Sequence, residues 1–124
     1  MIDISYQNIF DIVRPSLPEN WTRIVFFFAF MLDTCEIMYF VQLNSMEYVD
    51  CFHLNQDREE LVSKLSRLYK EVQYGMKEIT AEKIYSVITV VIDADGNMHA
   101  DFDYTDITEN FDSYYNSWMN QYIN

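Results

Sequence analysis

The run WTRIVFFFAFML, from Trp21 to Leu32, is apolar on both of the sides that a β-strand presents. Successive strand residues point to opposite faces of a sheet, so such a run is hidden only where both faces are covered. It is expected in the middle of a sheet. Its longest apolar stretch, Ile24 to Leu32, is nine residues, about half of the roughly 18 that a membrane-spanning helix requires. Two more runs rich in β-branched and aromatic residues follow, EIMYFVQL and YVDCFHL, ending at Leu43 and Leu54. The separators DTC and NSME are short enough for antiparallel hairpins.

The remaining elements follow from periodicity and punctuation. Ile4, Ile9, Phe10 and Val13 are near helical spacing, with Asp3 placed to cap that helix, and RPSLPEN ends it. From Asp57 to Met76, the residues Leu61, Leu65, Leu68 and Val72 form one apolar stripe with Tyr69 and Met76 beside it. Asn55 or Asp57 is the expected cap, and Gly75 lies near the expected end. YSVITVVI and MHADFDYT read as strands joined through DADGN, and Asp-Gly between two β runs is a hairpin signal. Phe111, Tyr114, Tyr115, Trp118 and Tyr122 then fall on one side of a final helix. The order α-β-β-β-α-β-β-α predicts an α+β fold: a mainly antiparallel sheet of about five strands with helices on one face. A chain of 124 residues makes one domain with a real core and is too short for two.

Charge narrows the function. The chain has 20 acidic and 8 basic residues, a net charge of −12, yet half of it is apolar and 17% is aromatic, so it is not a disordered acidic tail. Nucleic acid and anionic membranes are excluded as partners by the lack of a basic footprint, and a basic protein is favoured. The charge is also uneven. Residues 85–124 hold seven acids and no lysine or arginine. The start, MIDISYQNIFDIV, has acids where a secretory signal needs bases, and Cys35 and Cys51 form no disulfide framework, so a reducing cytoplasm is the expected setting.

The stretch DADGNMHADFDYTDITENFD, residues 93–112, admits three kinds of chemistry. An EF-hand calcium loop needs Gly at its sixth position and a bidentate Glu at its twelfth. Counted from Asp93, the glycine is fourth and the twelfth residue is Tyr104. Paired carboxylates can also cut glycosidic bonds, but two glycines leave little loop with which to build a cleft. His53 and His99 stand apart from each other and form no H-x-x-x-H pair, and no P-loop, dinucleotide or nucleophile-elbow motif occurs. The third option is a binding face. In MHADFDYT, alternation assigns Met98, Ala100, Phe102 and Tyr104 to the core and His99, Asp101 and Asp103 to the opposite side. Asp93, Asp95, Asp106, Glu109 and Asp112 extend that acidic row from the adjoining turns. Tyr114, Tyr115 and Trp118 follow it, residue types that serve either as core or as interface anchors. A charged face of this kind also serves plain solubility.

The residues Pro18, Glu19 and Trp21 before the first strand, the pattern of Asp93, Asp95, Gly96, Phe102, Tyr104 and Asp106, and the terminal Trp118 and Tyr122 resemble the YezG-type bacterial immunity proteins. The paired arginines and lysine that often surround that family's terminal tryptophan are replaced by SYYNSWMNQYIN. The resemblance implies a non-enzymatic, cytosolic antitoxin that needs no cofactor and binds a cognate toxin domain, often a nuclease. A small acidic enzyme, a calcium-binding domain and an adaptor without a toxin are the rival readings. Calcium separates one of them: at millimolar concentration it should leave the melting temperature where magnesium leaves it, because the loop lacks the required spacing. A rise specific to calcium contradicts this reading.

Overall fold

In a computed structural model that describes residues 5–31, 34–75 and 86–124, both sides of the first strand are covered. Helix α1 (Tyr6–Val13) leads through a 3-10 turn (Arg14–Ser16) into β1 (Trp21–Phe30), β2 (Cys35–Leu43) and β3 (Tyr48–Asp50). The short helix α2 (Cys51–Leu54) and the long helix α3 (Arg58–Gly75) follow, then β4 (Val87–Asp93), β5 (Met98–Asp103) and α4 (Phe111–Tyr122). The sheet is antiparallel in the order β3-β2-β1-β4-β5, which puts β1 at its centre as its two apolar faces require.

Register explains the packing. Ile24, Phe26 and Phe28 lie opposite Val41, Tyr39 and Ile37 of β2 and opposite Ile92, Val90 and Ile88 of β4. Together they form the layer on which α1 and α3 dock through Ile9, Val13, Leu61, Leu68 and Val72. The alternate residues Val25, Phe27 and Ala29 face the other way and meet Trp118, Phe111, Tyr115 and Tyr122 of α4. The fold class and element order are as expected, but α4 lies on the opposite face from α1 and α3. The cause is β1 itself, since neither of its faces can be left in water.

Three local expectations are corrected. YVDCFHL pairs as a strand only from Tyr48 to Asp50; at that point the Asp50 carboxylate accepts the His53 amide at 3.0 Å and starts α2. The cap of α1 is Ser5, whose hydroxyl accepts the Asn8 amide at 3.2 Å, while Asp3 is outside the described residues, as is Met76 at the other end of the expected α3. Met98 and Phe102 on β5 each remain 38% exposed and Tyr104, just after it, 57%, and of the four expected core residues Ala100, partly buried, packs against the core. β5 is the edge strand, and Met98 and Phe102 are on its α1–α3 face, at the margin of the layer that those helices cover.

Asp57 caps α3 by accepting the amides of Glu59 and Glu60 at 3.0 and 3.3 Å. Asn55 is instead buried, with its amide donating to the Tyr39 hydroxyl and to the Cys51 carbonyl, both at 2.8 Å, and its carbonyl oxygen receiving the buried Lys64 ammonium. The DADGN loop closes β4 on β5 as a hairpin, and Gly96 takes a φ of +100°, where a side chain would be strained. No described helix is long and apolar enough to cross a membrane.

The two-layer core yields a direct test. The Phe27 ring is fully buried between Trp118, at a centroid distance of 4.7 Å, and Tyr115, at 5.3 Å. Phe27→Ala should cost about 3–5 kcal/mol in urea denaturation. A loss below about 1 kcal/mol would mean that α4 does not close this face.

Candidate interaction surface

The acidic stretch runs along one margin of the sheet, over the β4–β5 hairpin, the edge strand β5 and the turn into α4. Asp101 and Asp103 point to the same face as Thr89 and Val87, their register partners on β4, and this is the face that α4 covers. The two aspartates therefore stand beside the tyrosines of α4. The Tyr114 hydroxyl donates to Asp103 Oδ2 at 2.7 Å, and the Tyr122 hydroxyl donates to Asp101 Oδ2 at 2.9 Å. Between the two pairs is a recess of about 350 Å3 lined by Thr89, Asp101, Asp103, Tyr114, Gln121 and Tyr122.

Three of the acids, Asp95, Asp103 and Asp106, accept bonds from residues two positions further along the chain. Asp103 Oδ1 accepts the amide and hydroxyl of Thr105 at 2.9 and 2.7 Å. Asp106 accepts the Thr108 amide at 3.0 Å, and Asp95 accepts the Asn97 amide at 3.0 Å. Such local bonds leave an aspartate few rotamers. Glu109 and Asp112 are exposed at the start of α4, where Asp112 faces the positive end of the helix dipole. Asp93 is different. Arg23 clasps it from β1 with Nε at 2.6 Å and Nη2 at 3.2 Å, so one member of the row is neutralised from 70 residues away.

Trp118 is 3% exposed and packs at a tilt against Phe27 and Phe40, with its indole N–H donating to the Thr89 hydroxyl at 2.9 Å. It positions α4 and offers no face outward. Tyr114 and Tyr115 are half-buried; Tyr115 stacks on Phe111 and Trp118 while Tyr114 reaches Asp103. The structure thus brings Asp101, Asp103, Tyr114 and Tyr122 together, keeps Asp95, Asp106, Glu109 and Asp112 on the surface, and assigns Trp118 to the core. Tyr122 is the residue whose place in this cluster the sequence leaves unmarked. Its helical spacing from Trp118 shows a shared side but not the carboxylate that it meets.

Protonation follows from these contacts. Burial and the bond to Asp101 push the Tyr122 phenol up to about 12, and burial and Asp103 push Tyr114 up as well. Burial alone would raise Asp103, but the Thr105 and Tyr114 bonds outweigh it and hold the carboxyl below its ordinary value. Asp106 is lowered by its bonds to Thr108. Burial pushes the Cys35 thiol up to about 12, with Glu36 adding to the effect, and raises Cys51, so neither sulfur is an activated nucleophile. No described group of three or more histidine, cysteine or carboxylate side chains has the geometry of a metal site.

Ionised carboxylates, fixed by hydroxyl and amide donors around a shallow recess, form a surface suited to cationic groups of another macromolecule. Among protein-family models, that of the immunity protein YezG-like family matches residues 2–124. The chain belongs to that family and is an immunity protein, a class whose members bind a cognate toxin protein. Comparison with curated proteins finds no match.

The phenol–carboxylate pairs should show in alkaline titration. A phenol whose folded pKa is raised contributes stability that is complete below its ordinary value of 10.0 and is lost as pH rises through about 12. Urea denaturation across that window should therefore show a shallower fall for Tyr122→Phe than for the natural chain. Equal slopes would mean that Tyr122 and Asp101 are not coupled.

Proposed function

We propose that this immunity protein neutralises a basic toxin domain of the nuclease class by laying the β5–α4 margin across its phosphate-binding surface. Nucleases gather phosphates with lysines and arginines, and the same groups are attracted to a rigid array of carboxylates. The observation that carries this reading is the pairing of Asp101 with Tyr122 and of Asp103 with Tyr114 at the mouth of an acidic recess, in a segment without a single basic residue. Asp95, Asp106, Glu109 and Asp112 extend the field, and Tyr115 supplies aromatic surface beside it. Inhibition here is steric and electrostatic. It needs no catalytic step, no cofactor, no nucleic acid and no membrane, and it fits the reducing cytoplasm of a bacterium that must protect itself from its own or a neighbour's toxin.

Asp101 is the position for the test, because it is exposed and its alteration leaves Thr105 and Tyr114 in place. Asp101→Lys combined with Asp112→Lys sets like charges against a basic partner, a penalty on the order of several kcal/mol. The association rate with a cognate toxin domain should fall with added salt and fall further in the variant, with the melting temperature little changed. Full-strength binding by the variant, or a rate indifferent to salt, would place the docking surface elsewhere on the chain.

A further inference from the structure

The run Val87 to Ile92 of β4 is apolar except for Thr89, which is nonetheless 3% exposed. Thr89 faces α4 and lies between Phe27 of β1 and Asp101 of β5, its register partners on either side. A buried hydroxyl needs hydrogen-bond partners, and this one has them in two directions. The indole N–H of Trp118 donates to Thr89 Oγ1 at 2.9 Å. The Thr89 hydroxyl is also hydrogen-bonded to the Tyr122 phenol, whose own proton goes to Asp101 Oδ2 at 2.9 Å. The rings of Trp118 and Tyr122 pack with centroids 5.3 Å apart, so the four side chains form one connected group.

The direction of these bonds is fixed at both ends. An indole N–H can only donate and an ionised carboxylate can only accept, so the two hydroxyls between them both point from Trp118 toward Asp101. Hydrogen bonds aligned in this way polarise one another. The phenol is received by Oδ2, and among the described residues no donor reaches Oδ1 of the same carboxylate. We propose that Thr89 is a positioning residue: with Trp118 behind it, it directs the Tyr122 phenol onto Oδ2 of Asp101 and leaves Oδ1 to meet a cationic side chain of the partner. This role rests on the reading of the β5–α4 margin as the toxin-binding surface. It also makes a buried tryptophan responsive to the charge of an exposed carboxylate. A threonine that served only as strand filler and as acceptor for the indole would leave Trp118 indifferent to Asp101.

The indole N–H resonances of the full chain in NMR provide the test, with Trp21, which packs on the α1–α3 face, as the internal reference. Asp101→Asn removes the charge and should shift the Trp118 resonance while leaving that of Trp21 in place. Tyr122→Phe keeps the ring and removes the hydroxyl, so in that background Asp101→Asn should move neither resonance. Thr89→Val should abolish the response in the same way, and Thr89→Ser, which keeps the hydroxyl, should preserve it. With a cognate toxin domain, Thr89→Val should raise the dissociation constant on the order of fivefold, and should add little once Asp101 is Asn. Where Thr89→Val does not fold, Tyr122→Phe carries the same comparison. A Trp118 resonance that ignores Asp101→Asn overturns the inference, as does a toxin affinity that Asp101→Asn lowers and Thr89→Val does not. Should Asp101→Asn move the indole and leave toxin affinity at full strength, the toxin-binding reading of this margin fails while the positioning of Asp101 by Thr89 holds.

Discussion

Everything in this protein depends on hiding the two apolar faces of β1. Ile24, Phe26 and Phe28 on one side and Val25, Phe27 and Ala29 on the other are all buried, so one helical layer is insufficient. α1 and α3 close the first side. The second is left to α4, a helix whose apolar content is almost entirely aromatic: Phe111, Tyr114, Tyr115, Trp118 and Tyr122. Aromatic rings bury much area per residue, and a tyrosine does so with a hydroxyl left to bond at its rim. The demand for cover over β1 thus places phenols at the boundary of the core.

That boundary is where the carboxylates of β5 begin. Were the second face open, Asp101 and Asp103 would repel each other and the remaining acids with only water between them. With α4 in place, two phenol hydroxyls meet two carboxylates, and the mutual repulsion along the strand is partly answered by hydrogen bonds to charged acceptors. The charges survive because they remain at the rim, in contact with solvent. Packing inside and charge outside are connected by the same two side chains.

The sequence is informative about period and poor about partnership. The two-sided character of β1, the leucine stripe of α3, the Asp-Gly hairpin and the aromatic side of α4 can all be read from spacing, because each is a local pattern with a fixed repeat. The face on which α4 lies was also implied, since a strand apolar on both sides calls for two layers, yet placing all helices on one face ignores that demand. The end of β3 had a local sign in Asp50, which competes as a helix cap with the strand propensity of YVDCFHL. Other features have no such sign. Arg23 neutralises Asp93 only because the β1–β4 register brings them opposite each other, and Tyr122 meets Asp101 only because α4 crosses the sheet at one particular place. Those contacts depend on tertiary geometry, so the acidic row was legible as composition and not as a set of individually engaged carboxylates.

The buried contact between Lys64 and Asn55 bears on how α3 finds its seat. Leu61, Leu65, Leu68 and Val72 repeat nearly the same shape each turn, so a helix carrying them alone would fit the sheet almost equally well if it slid by one turn. The ammonium breaks that degeneracy. Asn55, itself tied to Tyr39 and the Cys51 carbonyl, offers its oxygen at one location, and any other seating would strand a cation in a dry interior without an acceptor. Sliding is thereby converted from a near-neutral displacement into a costly one. A core of interchangeable leucines acquires a single address.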